Sequence, residues 1–159
     1  MKKKGILGMV LMGLASAGAV ALSVKTSQDA IAEKDQKINK FKNYYNMLNE
    51  WLYLKQNGTS LDTYFKKNDY NSIAIYGMGE MGSRLYDELK ESDVTVKYAI
   101  DKNAASVYSG LEVIDPEEEF PEVDVVVVTA TFAFDEIENS IENKVNCPIV
   151  SLEDVVYEV

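Results

Sequence analysis

The chain has 159 residues, 47% of them hydrophobic, enough for one packed domain with attachments. Residues 1–69 carry 11 lysines against 6 acids, whereas residues 70–159 carry 5 basic against 20 acidic side chains. So acidic a C-terminal part repels phosphate backbones and speaks against nucleic acid as a partner. No histidine and a single cysteine exclude a His/Cys zinc site, an internal disulfide and any imidazole base, including that of a Ser/His/Asp triad.

Residues 5–24 form a run of 20 without a charge, rich in Leu, Val, Met, Ala and Gly. As a helix rising about 1.5 Å per residue it reaches across a hydrocarbon core of about 30 Å. We therefore expect residues 1–25 to be a membrane anchor. The alternative is a cleavable signal peptide with Lys2, Lys3 and Lys4 as its basic start and Ala19-Val20-Ala21 as its cleavage site. Lys25, Lys34, Lys37, Lys40 and Lys42 follow the span, and basic residues on both sides leave the positive-inside rule undecided. Attraction of such lysines to the anionic inner leaflet, about 1 kcal/mol each, points to a cytoplasmic domain.

Residues 26–70 read as a helical stalk followed by a short helix. Ile31, Ile38, Tyr45 and Leu52 recur every seven residues, with Phe41 and Leu48 between them, but Lys34 and Lys55 occupy core positions and break the heptad pattern. A second row, Tyr44, Met47, Trp51 and Leu54, widens the apolar face enough to dock on a globular body or a partner. We expect residues 31–54 to pack on the chain's own domain, to bind a protein partner or to self-associate. Asn57-Gly58 stops the helix, and Ser60 is expected to cap a short helix carrying Leu61, Tyr64 and Phe65.

Residues 71–159 are expected to form a Rossmann-like domain. Ser72-Ile73-Ala74-Ile75-Tyr76 is a strand, Gly77-Met78-Gly79-Glu80-Met81-Gly82 a glycine turn, and Ser83 to Lys90 a helix by period. Such a turn needs glycine for its tightness, for the approach of a pyrophosphate to bare backbone and for close helix–strand packing. Amides at the helix N-terminus then face the phosphates. The next strand, 94–100, ends in Asp101, 19 residues after Gly82, where a dinucleotide fold places the acid that holds a ribose diol; a plain strand-end turn is the other reading.

Residues 111–114 are a short strand, Asp115-Pro116 is expected to start a helix, and 123–128 is a β-branched run suited to a strand buried on both faces. Thr129 and Thr131 sit at its carboxyl end, either as ligand contacts or as caps of the helix at 134–143. Residues 148–150 make a fifth strand, and Ser151 caps a last helix. The expected sheet is parallel, in the order 3-2-1-4-5. Glu117-Glu118-Glu119 has no ligand spacing and reads as a solvated face, so no metal is assigned. Cys147, beside Pro148 in an apolar run, reads as a buried structural thiol. Tyr86 and Lys90 match the Tyr-x-x-x-Lys spacing of short-chain dehydrogenases, but lie too early in the chain to act as that pair.

From about residue 71 to 157 the chain resembles the Rossmann-like N-terminal domains of bacterial sugar O- and N-acyltransferases, and the nucleoside-diphosphate-sugar epimerase-like domains of surface-polysaccharide systems. The stretch 73–82, Tyr98-Ala99-Ile100-Asp101 and Pro116-Glu117-Glu118 carry the resemblance. It implies binding of NAD(P) or a nucleotide sugar at Gly77, Gly79, Gly82 and Asp101. The acyltransferase β-helix with its catalytic histidine and the epimerase substrate domain are both missing from the sequence. Three functions stay open: a tethered, non-catalytic nucleotide-binding module; an oxidoreductase or sugar-modifying enzyme completed by a partner subunit; and a degenerate adaptor acting through the stalk. For the last, the acidic surface opposes a dinucleotide's charges, and Arg84 is the one basic residue near the turn.

Overall fold

A computed structural model of the chain describes residues 3–104 and 110–159, with side chains described from Gln28 onward except at residue 29. The chain divides into two compact units, Met1–Tyr44 and Tyr45–Val159. Helix α1, Lys3–Gln56, runs through both. Among the described residues no helix is long and apolar enough to cross a membrane, and the expected span at 5–24 falls on residues whose side chains lie outside the description.

In the first unit the described side chains of α1 are exposed or half-buried. Lys37 and Glu33 form an exposed i,i+4 ion pair at 2.7 Å, and the Lys40 ammonium lies 5.8 Å from the Tyr44 ring centre.

In the second unit α1 buries Met47 and Trp51 and half-buries Leu54, so the second apolar row is its packed face, while Tyr45 and Leu52 stay exposed. The helix stops as expected. Gly58 takes φ +76°, and the Thr59 N–H closes on the Leu54 carbonyl at 3.0 Å. Helix α2, Asp62–Lys67, lacks the expected serine cap: Leu61 holds the cap position, and the Ser60 hydroxyl donates to Glu88 Oε1 at 3.0 Å.

Five parallel strands follow: β1 Ser72–Tyr76, β2 Thr95–Ile100, β3 Val113–Ile114, β4 Val125–Val128 and β5 Ile149–Ser151. Their order is β3-β2-β1-β4-β5, as the alternation of strand and helix patterns implied. Between Ile73 and Ala74 the β1–β2 register skips Lys97, a bulge that leaves Lys97 in solvent and Tyr98 in the core. Ala74, Tyr76, Tyr98, Ile100, Ile114, Val126 and Val128 share one face with Ile137 and Ile141 of helix α4, Phe134–Ile141. Ile73, Ile75, Val125 and Val127 alternate to the other face. There Ile75 lies under helix α3, Glu80–Leu89, which buries Leu85 and Leu89. Each such side chain contributes about 1.5–3 kcal/mol by burial.

The helix expected after Asp115-Pro116 is not formed; residues 115–124 make a turn and an extended loop. Pro121 disfavours helical geometry at Phe120, and the few residues left between the two prolines are too short a run to hold a helix. Three of the loop's carbonyls accept from side chains instead. The Lys144 ammonium donates to Pro116 O at 2.6 Å, Tyr98 OH to Pro121 O at 2.7 Å, and the Lys97 ammonium to Glu122 O at 2.9 Å. Ser151 does cap helix α5, Leu152–Tyr157, accepting the Glu153 N–H at 3.1 Å.

Candidate functional site

The three motif glycines have three different surroundings. Gly77 leaves β1 with φ +94°, a left-handed backbone that other residues rarely adopt, and an added Cβ would lie 2.9 Å from the Thr129 hydroxyl. Gly82, in the first turn of α3, faces the Gly77 carbonyl so closely that any Cβ would collide with it. Among the described residues, Gly79 has nothing within 4 Å of its Cβ position. Two glycines therefore close the elbow, and the third leaves it bare on the outside.

Gly79 is also the N-cap of α3, and having no side chain it leaves the first-turn amides without a side-chain cap. An anion placed there meets N–H donors and the positive end of a ten-residue helix. The Met78 side chain is buried, and its N–H points at Asp101.

Asp101, at the end of β2, turns toward the elbow. Its Oδ2 accepts the Met78 N–H at 2.8 Å and its Oδ1 accepts the Asn103 N–H at 2.8 Å. Each carboxylate oxygen keeps a second lone pair for a further donor, such as a hydroxyl. The glycines and Asp101 are thus brought together as the spacing implied.

Of the two threonines, Thr129 joins them from within the fold and Thr131 stands apart. Thr129 is buried, and its hydroxyl donates to the Gly77 carbonyl at 2.6 Å, with the Tyr76 carbonyl at 3.2 Å. Its proton is thereby engaged in clamping the glycine turn onto β4, and it caps no helix. Thr131 opens a single 3-10 turn, Thr131–Ala133, without capping it, and lines a surface hollow of ≈ 380 Å³ with Phe132 to Glu136 that contains no elbow residue. Arg84 lines a groove of ≈ 390 Å³ with Leu48, Trp51 and Leu52 of α1.

Residues 69–148 match the family model described as C2185-like, N-terminal. The match covers half of the chain. The chain belongs to the C2185-like N-terminal family. No curated protein and no solved structure matches it. The C2185-like span holds the elbow, Asp101 and both threonines; α1, α2 and β5 lie outside it.

One carboxylate joins the C2185-like span to the helices before it. Glu88 of α3 is 6% exposed at its side chain and accepts the Trp51 indole N–H at 2.7 Å, the Ser60 hydroxyl at 3.0 Å and the Leu61 N–H at 2.9 Å, with the Lys55 ammonium at 3.2 Å. Sequence reasoning missed this hub, because its partners lie 27 to 37 residues away along the chain. At the amino edge Asp124 clamps the start of β1, accepting the N–H groups of Asn71 and Ser72 at 2.8 and 2.7 Å. Those amides hold its carboxyl below the usual range.

Burial raises the Tyr76 phenol, and the negative charges of Asp101, Asp115, Glu117 and Glu136 push it further the same way, so the carboxyl edge of the sheet carries a negative field. Cys147 is half-buried against the core, and burial pushes its thiol up, away from nucleophilic use.

Proposed function

We propose that the chain is a membrane-tethered, non-catalytic module that binds a nucleotide or nucleotide sugar at the glycine elbow, in the service of cell-surface polysaccharide assembly. The observation that carries this reading is the open Gly79 N-cap above uncapped helix amides, with the Asp101 carboxylate 2.8 Å from the Met78 N–H on the same turn. The amides suit a diphosphate and the carboxylate suits a ribose diol. The likeness of residues 71–157 to sugar acyltransferase and epimerase-like domains supports the polysaccharide setting. The uncharged run at 5–24 supplies the tether, and the lysines after it favour the cytoplasmic face, where nucleotides are made.

The test is equilibrium titration of the full chain in detergent with NAD, NADP, a UDP-sugar and ADP. At least one gives a saturable isotherm that Gly79→Val abolishes while a cooperative thermal melt is retained, because no described residue fills the Gly79 site and the substitution costs only the weaker helix cap. No saturable binding by any of the four removes the reading.

A degenerate adaptor is the second reading, favoured by the negative field around Tyr76 and by an Asp101 already engaged with two backbone N–H groups. Under it the titrations are silent, and Asp101→Ala costs stability alone.

A further inference from the structure

The first unit presents a helix surface that none of its described side chains covers. Ile31, Ile38 and Phe41 are 58%, 61% and 71% exposed, at the spacing of core positions in a two-helix seam. In sequence the seven-residue step goes on to Tyr45 and Leu52, also exposed. Single exposed apolar residues need no explanation, but a row at heptad spacing on a helix does.

The charges beside this row state what fits it. With Ile31 and Ile38 at the first core position of successive heptads, Phe41 takes the second, and Lys34 stands at the second core position one heptad earlier. Lys37 and Lys42 flank the seam, with Asp35 the one acid in a flanking position. A second copy running parallel would set Lys37 against Lys42 of its partner, and Lys34 against Lys34 within the core. Two copies anchored by their N-termini in one bilayer run parallel, so the pattern disfavours self-pairing of the tethered chain. A helix with an apolar facing side and acidic flanks meets Lys34, Lys37 and Lys42 with opposite charge instead. The ion pair that now engages Lys37, with Glu33, is exposed on both sides and gives way at little cost.

We propose that residues 31–42 of α1 are a docking seam for a partner helix that is apolar on its facing side and acidic on its flanks. This goes beyond nucleotide binding and does not depend on it; only the step against self-pairing rests on the membrane tether of the proposed function.

The experiment uses the full chain in detergent micelles and two labelled synthetic helices, both with Ile and Leu at the core positions, one with Glu and the other with Lys at every flanking position. Fluorescence anisotropy should show the Glu helix binding at least tenfold more tightly, with the gap narrowing as salt rises. The charge inversion Lys37→Glu with Lys42→Glu should reverse the preference, and Phe41→Ser should weaken binding of the Glu helix, with unchanged Trp51 emission showing that the second unit remains folded. Equal binding of the two helices overturns the proposal, as does binding of neither. So does a concentration-dependent dimer mass that Phe41→Ser abolishes, since the occupant would then be a second copy.

Discussion

Replacing Glu88 by alanine should be among the most destabilising single changes in the second unit. The substitution removes a nearly buried carboxylate and strands the Trp51 indole N–H and the Leu61 amide, both belonging to buried residues, along with the half-buried Ser60 hydroxyl. A buried donor left unpaired costs about 1–3 kcal/mol. The Lys55 ion pair adds little, because its ammonium is half in solvent. With two buried donors stranded, breaking the network should therefore cost about 2–6 kcal/mol. Glu88→Gln keeps one acceptor oxygen but turns an amide toward donors, and should cost less than alanine does. Trp51 is the one tryptophan of the chain and sits on the network, so urea unfolding of the full chain in detergent, followed by its emission and by far-ultraviolet circular dichroism, reads the loss directly. A cost below about 1 kcal/mol for Glu88→Ala would refute the view that this carboxylate fastens α1 and the 57–61 turn to α3.

Gly82→Ala should disrupt the elbow, because its Cβ would collide with the Gly77 carbonyl; a thermal melt within about 2 °C of wild type would count against this account of the turn. Tyr98, pushed up to about 12 by burial, should appear in an ultraviolet titration as a phenol ionising well above the ordinary phenol value. Since its folded value lies above its unfolded one, the stability it contributes is fully present below pH 10 and is lost as pH rises toward 12. Tyr98→Phe, which gives up the bond to Pro121 O, should cost about 1 kcal/mol at neutral pH. Asp124 runs the other way: its carboxyl is held below its ordinary 3.8, so its contribution is present above that pH and disappears as pH falls below it. The stability gap between wild type and Asp124→Asn should accordingly be constant at neutral pH and shrink below about pH 4, as urea midpoints across a pH series would show.

Local signals made much of this fold legible. The run Ser72-Ile73-Ala74-Ile75-Tyr76 matches β1 residue for residue, and 125–128 forms a fully buried strand because β-branched side chains on both faces suit nothing else. The glycine turn was readable because two of its glycines answer steric demands made within a few residues of each other, and Asp101 because strand and helix lengths fix its distance from Gly82. The crossover after β3 misled: Asp115-Pro116 does resemble a helix start, and the Asp115 carboxylate does accept the Glu117 N–H, but Pro121 keeps any helix from continuing beyond that turn. Ser60 and Thr129 misled for another reason. Both are good caps by residue type, yet a tertiary partner, Glu88 for one and the Gly77 carbonyl for the other, claims the hydroxyl. Residue type alone does not choose between such competitors, because the choice depends on which segments the fold brings near.

The most direct test of the elbow as a ligand site is a residue-resolved one, the amide resonances of Gly79, Glu80 and Met81 followed while a UDP-sugar or NAD is added to the full chain. These amides and that of Met78 should shift together and saturate, while Lys97, Lys144 and Cys147, which line a cleft beside Asp124 at the amino edge of the sheet, stay in place. Saturation that moves the amino-edge residues and leaves the turn untouched would contradict the account.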